Sequence, residues 1–246
     1  MLHAFGLIQV ELIDFSPLAQ FHSHVYLRHN HRCLEHLASL GLPIVGASVL
    51  EVGAGVGDHT SFFIDRGCTV LSTEARPENL AILQSRYRNL GLESRELDLD
   101  NPVALDRSFD IVYCYGVLYH LRRPAEAIAF MAGHCCRMLL LETCVSVGDH
   151  QAVNPIAELA ENPTQALDGH GCRPTRPWIY ARLKEHFEHV YLPRTQPHHG
   201  NFPIDWTAPP PSQRDAMTRA IFIASRQPLD NPLLTEELLA KQVRQN

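Results

Sequence analysis

The stretch VLEVGAGVGDHT, residues 49–60, decides how the chain is read. SVLEVG (48–53) reads as a buried strand, and Gly55 and Gly57 follow Gly53 at alternate positions before helical spacing begins. Glycines directly after a buried strand and before a helix mark a turn where bare main chain approaches a ligand. Such turns often cradle phosphate. Here Glu51 and Asp58 fringe the turn with negative charge, which disfavours a pyrophosphate. The third glycine of a dinucleotide fingerprint would fall at position 58, which is Asp, so NAD and FAD are disfavoured as well.

Working outward, residues 16–40 keep apolar side chains at helical spacing, with Ser16 and Pro17 as a start and Gly41 and Pro43 as a stop. After the glycine turn, GDHTSFFIDRG reads as a helix, CTVLSTE (68–74) as a second strand and RPENLAILQSRYRNLG as a helix. SRELDL is a third strand, FDIVYCYG (109–116) a fourth, PAEAIAFMAGHC a helix and RMLLLETCV a fifth strand. This alternation predicts right-handed crossovers and a doubly wound, mostly parallel α/β sheet with helices on both faces. Residues 146–177 hold many Gly and Pro breakers and predict a loop or broken-helix excursion. RPWIYARLKEHF returns to helix, HVYLPRT and TRAIFIASR (218–226) read as strands with a Pro-rich loop between them, and NPLLTEELLAKQ predicts a short docked helix. The expected organisation is a helical lead-in over 1–43, one domain over 44–226 with insertions at about 146–177 and 195–217, and a tail over 227–246.

A length of 246 residues suits one such domain. Lys plus Arg number 21 against 27 Asp plus Glu, a balance that favours a small substrate over broad capture of nucleic acid. Seven cysteines without a CxxC pair read as free thiols of a reducing compartment. The amino-terminal MLHAFGLIQVELIDF carries Glu11 and Asp14 and no basic start, so it does not read as a secretory signal. No stretch has the length of a membrane span. A soluble cytoplasmic protein with no membrane partner is expected. Fifteen histidines show no familiar metal spacing, and no metal is expected.

Glu51, Gly53, Gly55 and Gly57 match the first motif, E/D-x-G-x-G-x-G, of the class I S-adenosylmethionine-dependent methyltransferases, which this chain resembles over roughly residues 44–145. That cofactor carries an ammonium and a sulfonium and no phosphate, so acids at the turn fit it. The resemblance implies S-adenosyl-L-methionine as cofactor and a seven-stranded sheet of order 3-2-1-4-5-7-6 with the seventh strand antiparallel. It implies that Ala54 belongs to the cradle, and that Glu74, beside Ala75, receives the ribose hydroxyls. Asp98 and Leu99 would lie against the adenine, with Asp100 as the register alternative. FDIVYCYGVLYHL is similar to the fourth family motif, which implies that Cys114, Tyr115 and Gly116 lie beside the methyl donor.

For catalysis, His120 is a candidate general base, because imidazole titrates near neutral pH; the alternative is that it caps the next helix or packs under the sheet. Tyr119 or Tyr115 would line the same pocket. Arg122, Arg123, Arg173 and Arg176 are forks suited to an anionic acceptor, or solvated surface. His198, His199 and Trp206 of the Pro-rich loop are candidates for the acceptor pocket. Methyl transfer to a small hydroxyl- or carboxyl-bearing, anionic or neutral, acceptor is the first expectation. YGVLYHLRRP also looks locally like the methyltransferases of transfer-RNA wobble uridine, which keeps an RNA acceptor as an alternative, beside a catalytically silent cofactor-binding protein.

Overall fold

The computed structural model describes residues 14–207 and 217–245. Most of the amino-terminal stretch read against a signal, and positions 208–216 of the Pro-rich loop, lie outside the described residues. The chain opens with α1 (Pro17–Phe21) and α2 (His24–Ser39). The single helix expected here is broken at Ser23, whose extended backbone and Oγ, accepting from the Tyr26 N–H at 3.4 Å, start a new helix. Ser16 makes no side-chain cap.

Then β1 (Ser48–Val52), α3 (Thr60–Ile64), β2 (Thr69–Glu74), α4 (Pro77–Tyr87), β3 (Glu93–Glu96), β4 (Phe109–Tyr115), α5 (Pro124–Gly133) and β5 (Cys135–Cys144) follow. The second half contains β6 (Val153–Ala157), β7 (His170–Pro174), α6 (Arg176–Lys184), β8 (His189–Pro193), β9 (Thr195–Gln196), β10 (Arg219–Ser225), β11 (Leu234–Thr235) and β12 (Val243–Arg244).

The main sheet has the order β11-β8-β10-β5-β4-β1-β2-β3. β1 pairs in parallel with β2 and β4, β2 with β3 and β4 with β5, whereas β10 runs antiparallel to β5 and β8. Seven of these strands take the expected order. The sheet is eight-stranded rather than seven-stranded, because β11 adds to the β8 edge.

Strand neighbours point to opposite faces. Val49, Ile111 and Leu140 join Cys33, Leu37 and Phe63 under α2 and α3, while Leu50, Val112 and Leu139 join Ile128, Met131 and Ile179 under α5 and α6. Each such burial contributes about 1.5–3 kcal/mol. Both faces being covered is why the central strands read as continuous apolar runs.

Two expectations change. Residues 146–177, expected as a loop or broken helix, carry the antiparallel hairpin β6–β7 with a loop between its strands. Its prolines, Pro155 and Pro174, are tolerated because each strand of a two-stranded ribbon has an open edge. The tail is not a helix: β11 pairs with β8, and β12 pairs in parallel with β9. So short a helix would be marginal alone, and the pairing that buries Leu234 prevails. The lead-in and the tail therefore pack into the same fold as the sheet. No helix among the described residues is long and apolar enough to cross a membrane.

Candidate active site

Strand order reverses between β1 and β4, and the crevice at the carboxyl ends of such strands is where open α/β sheets bind ligands. Two adjoining cavities lie there, of about 180 Å³ and 100 Å³. Phe21, Tyr26, Gly53, Tyr115, Gly116, Thr164 and Gln165 line both.

The smaller cavity is built from consecutive strand ends. Gly53 and Gly55 turn through positive φ, 61° and 56°. A Cβ at Gly55 would stand 2.6 Å from Phe21 Cε1, so the turn admits no side chain. Glu74 is buried at the end of β2, and its carboxylate accepts from the Gly55 N–H and the Arg76 N–H, both at 2.9 Å, and from Asn79 Nδ2 at 3.4 Å. Burial raises its pKa against those bonds. Ala75, Asp98, Leu99 and Asp100 line the same wall. The Asp98 carboxylate caps its own turn, accepting from the Asp100 N–H at 2.8 Å and Asn101 Nδ2 at 2.7 Å. Asp100 instead accepts from the N–H groups of Arg122 and Arg123 at 3.0 and 2.9 Å, which anchors the start of α5. Of the two register alternatives, both reach the wall, and both carboxylates are already engaged.

The larger cavity takes Glu51, Ala54 and Asp58 from the glycine turn. Glu51 is buried and accepts from Thr60 Oγ1 at 2.7 Å and Ser72 Oγ at 2.6 Å. Burial pushes its carboxyl up to about 7. Opposite stand Tyr26, His29, Tyr119, Glu142, His199 and Arg219. Arg219 Nη1 donates to both Glu142 oxygens at 2.9 and 3.0 Å, and Nη2 donates to Tyr119 Oη at 2.8 Å. Burial works against the Arg219 charge, and the Glu142 carboxylate more than offsets it, so the guanidinium stays charged. Burial also holds His29 neutral, down to about 2, and lowers His199, to which the nearby Arg28, Arg219 and Arg244 add. Burial raises the Tyr119 phenol, which remains a proton donor.

The site residues expected from sequence divide. Glu51, Gly53, Ala54, Gly55, Glu74, Ala75, Asp98, Leu99, Tyr115 and Gly116 line one cavity or both. Gly57 turns at φ 85° behind them, against Leu83 and Tyr87. Cys114 does not reach the site: with Tyr113 and Tyr115 facing the larger cavity, strand alternation turns Cys114 into the core beneath α5. Tyr119 and His120 also part company. Tyr119 lines the larger cavity, whereas His120 lines the smaller one with Nδ1 bonded to Glu158.

Of the acceptor candidates Tyr115, Arg123, Arg173, His198, His199 and Trp206, Tyr115 and His199 join Tyr119 in lining the larger cavity. Arg123 is held by Asn101, and Arg173 packs over Tyr119 and pairs with Glu158 outside both cavities. His198 is exposed. Trp206 donates Nε1–H to Gln242 at 2.7 Å and lies under Arg176, so it fastens the tail. The Arg219–Glu142 pair was missed, although an acid inside RMLLLETCV and an arginine opening RAIFIAS are a legible signal, since buried charges come paired. Among the described residues no group of three His, Cys, Asp or Glu side chains is placed to hold a metal ion.

A family model described as a methyltransferase domain matches residues 50–136. Over that segment the chain is similar to the methyltransferase domain. Its curated relatives include the tRNA U34 carboxymethyltransferases of Photobacterium profundum, 33% identical over 131 residues, and Edwardsiella ictaluri, 34% identical over 128. These alignments cover 50% and 49% of this chain and 38% of each relative, so the match spans well under half the relatives' length. The fold is shared with the N-terminal domain of EvdMO1 crystallised with SAH and D-fucose, at TM-score 0.58 and 21% identity, covering 80% of this chain and 82% of that one. It is shared too with an S-adenosylmethionine-dependent methyltransferase from Mesorhizobium loti, at TM-score 0.57 and 17% identity, covering 78% and 96%. The matched segment spans the glycine turn, Glu74, both aspartates and the end of β4.

Proposed function

We propose that the chain is an S-adenosylmethionine-dependent methyltransferase that methylates an oxygen of a small anionic acceptor. The observation that carries the reading is the pair of adjoining cavities, which meet at Gly53, Tyr115 and Gly116. A main-chain cradle with Glu74 and Asp98 on its wall suits an adenosine, and the Gly55 turn, packed against Phe21, presents bare main chain to it. Asn79 Oδ1, buried there without a partner, adds an acceptor for a hydroxyl or amino group. When bound, the cofactor supplies a methyl carbon already activated by its sulfonium.

What the chain must then do is orient an oxygen in line with that carbon. Tyr119 Oη accepts from Arg219 and so has its own proton free to donate to an acceptor. Arg219 Nε, buried in the wall without a partner among the described residues, is left to donate to an acceptor oxygen, and Arg28 and Arg244 near His199 add positive charge beside it. A carboxylate acceptor needs no general base, which agrees with His120 lying off the larger cavity. Calorimetry tests the donor half: S-adenosylhomocysteine (SAH) binds and NAD does not. Binding of NAD alone would overturn the reading. Labelled cofactor in a cell extract, followed by mass spectrometry of the product, identifies the acceptor.

A second reading, carboxymethyl transfer to a tRNA, draws on the relatives' names. Such a transferred group carries a carboxylate, and Arg219 is a buried cation able to meet it. Tight tRNA binding with a steep salt dependence would favour this reading over the first.

A further inference from the structure

Between β6 and β7, residues 158–167 form a strap across both cavities. Thr164 and Gln165 line the two together, and Pro163 and Leu167 line the smaller. The strap is fastened from two sides. On one, Arg76 Nη2 donates to the carbonyls of Ala160, Gln165 and Ala166 at 2.9, 3.3 and 3.0 Å, and Asn79 Nδ2 donates to the Pro163 carbonyl at 3.0 Å. On the other, the Glu158 carboxylate accepts from the Ala166 N–H at 2.8 Å, from Arg173 Nη1 at 3.2 Å and from His120 Nδ1. Glu158 is buried, which alone would raise its pKa, but the His120 hydrogen bond and the neighbouring positive charge hold it below the usual carboxylate range.

Arg76 is an unusual expenditure of a cation. It is 8% exposed, yet its nearest carboxylate, Glu78, is half exposed and 3.6 Å away, so its main partners are strap carbonyls. Asn79 is the more informative residue. The same Nδ2 that holds Pro163 also reaches Glu74 at 3.4 Å, the longest of the three bonds that Glu74 accepts. A ligand hydroxyl donating to Glu74 would compete with that weak bond and leave Asn79 to the strap; Asn79 Oδ1 is buried beside the same cavity without a partner among the described residues.

We propose that Arg76, Asn79 and Glu158 are positioning residues that hold residues 163–165 as the wall common to both cavities, and that occupation of Glu74 tightens this wall. The donor then binds first and sets the surface against which the acceptor is oriented. This rests on the reading of the smaller cavity as the adenosine site.

Hydrogen–deuterium exchange and stopped-flow SAH dissociation test it on the full chain. SAH is expected to slow exchange of residues 158–167 in the wild type at least about tenfold. Asn79→Leu, compared with the wild type at SAH concentrations that saturate each, is expected to remove this protection. Arg76→Ala is expected to speed SAH dissociation about tenfold with association unchanged, and Arg76→Lys to fall between, an ordering a general loss of stability would not give. Unprotected strap residues in SAH-bound wild type, or wild-type dissociation from Arg76→Ala, would overturn the proposal alone. Failure of the wild type to bind SAH in calorimetry would overturn it together with the functional reading. Should Arg76→Ala not fold, the wild-type exchange comparison decides.

Discussion

The two cavities share a wall and differ in where the rest of their walls come from. The smaller is assembled from the ends of successive strands and the turns after them, at positions 53–55, 74–79, 97–100 and 115–121. The larger gathers α2, the end of β5, the segment after β9 and the start of β10, residues as far apart as Tyr26 and Arg219. A site made of strand ends is fixed once the sheet forms, because parallel pairing aligns those ends without further instruction. A site made of remote segments depends on side-chain pairs to hold its members together, and here the pair is Arg219 with Glu142.

The sharpest way to break this contrast is to damage each half separately. Gly55→Val places a Cβ against Phe21 at a backbone φ of +56°, which costs about 1–3 kcal/mol of strain and closes the cradle. SAH binding is expected to be lost in calorimetry, with the sheet still folded by circular dichroism. Arg219→Ala should do the reverse. It leaves Glu142 as an uncompensated buried charge, at a cost of about 3–5 kcal/mol, read as a lower denaturation midpoint. The folded fraction should bind SAH as the wild type does. If Arg219→Ala lost SAH binding while remaining folded, the division into two halves would be wrong.

The same contrast explains what the sequence makes legible. VLEVGAGVGDHT, Glu74 and ELDLD sit at strand ends, so reading the strands correctly also locates the wall of the smaller cavity. Cys114 shares the strand end with the site residues, but strand parity turns it into the core and gives the larger cavity to Tyr113 and Tyr115. His198 and Trp206 were drawn in by loop composition, yet the loop's direction is set by Gln242, which receives Trp206 and pairs with Gln196. The hairpin and its strap were hidden, because breakers mark a departure from helix without saying that two short strands will pair. His120 read as a base from its neighbourhood in sequence; its carboxylate partner, Glu158, lies 38 positions away and leaves no local trace.

Glu51 sharpens the contrast through pH. Its carboxyl is raised from an ordinary 4.5 to about 7 by burial, so the folded state holds the proton more tightly than the unfolded chain. Its contribution to stability is therefore greatest at low pH, falls as pH rises from about 4.5 to about 7, and is flat above, a span on the order of 3 kcal/mol. Glu51→Gln keeps acceptance from Thr60 and Ser72 and should remove this slope in denaturation curves. SAH, whose ammonium favours the ionised carboxylate, should bind more tightly as pH rises through about 7, and that rise should also vanish in Glu51→Gln. A wild-type affinity independent of pH would separate Glu51 from the cofactor.

The smallest expected effect lies where sequence and structure disagree most about a residue's role. Trp206→Phe keeps an aromatic ring under Arg176 and deletes only the Nε1–H bond to Gln242. Gln242 Oε1 retains Gln196 Nε2 at 2.8 Å, and its own Nε2 retains the Pro193 carbonyl at 2.6 Å, so no buried group is stranded. The loss should be about 1 kcal/mol of stability, the net worth of one neutral hydrogen bond, with SAH affinity and acceptor turnover unchanged. A Trp206→Phe variant of wild-type stability but impaired turnover would return Trp206 to the acceptor cavity and move the boundary between the two halves. An unchanged turnover with weakened tail pairing would fix that boundary at His199, which with Asn201 and Met217 brings this loop to the larger cavity.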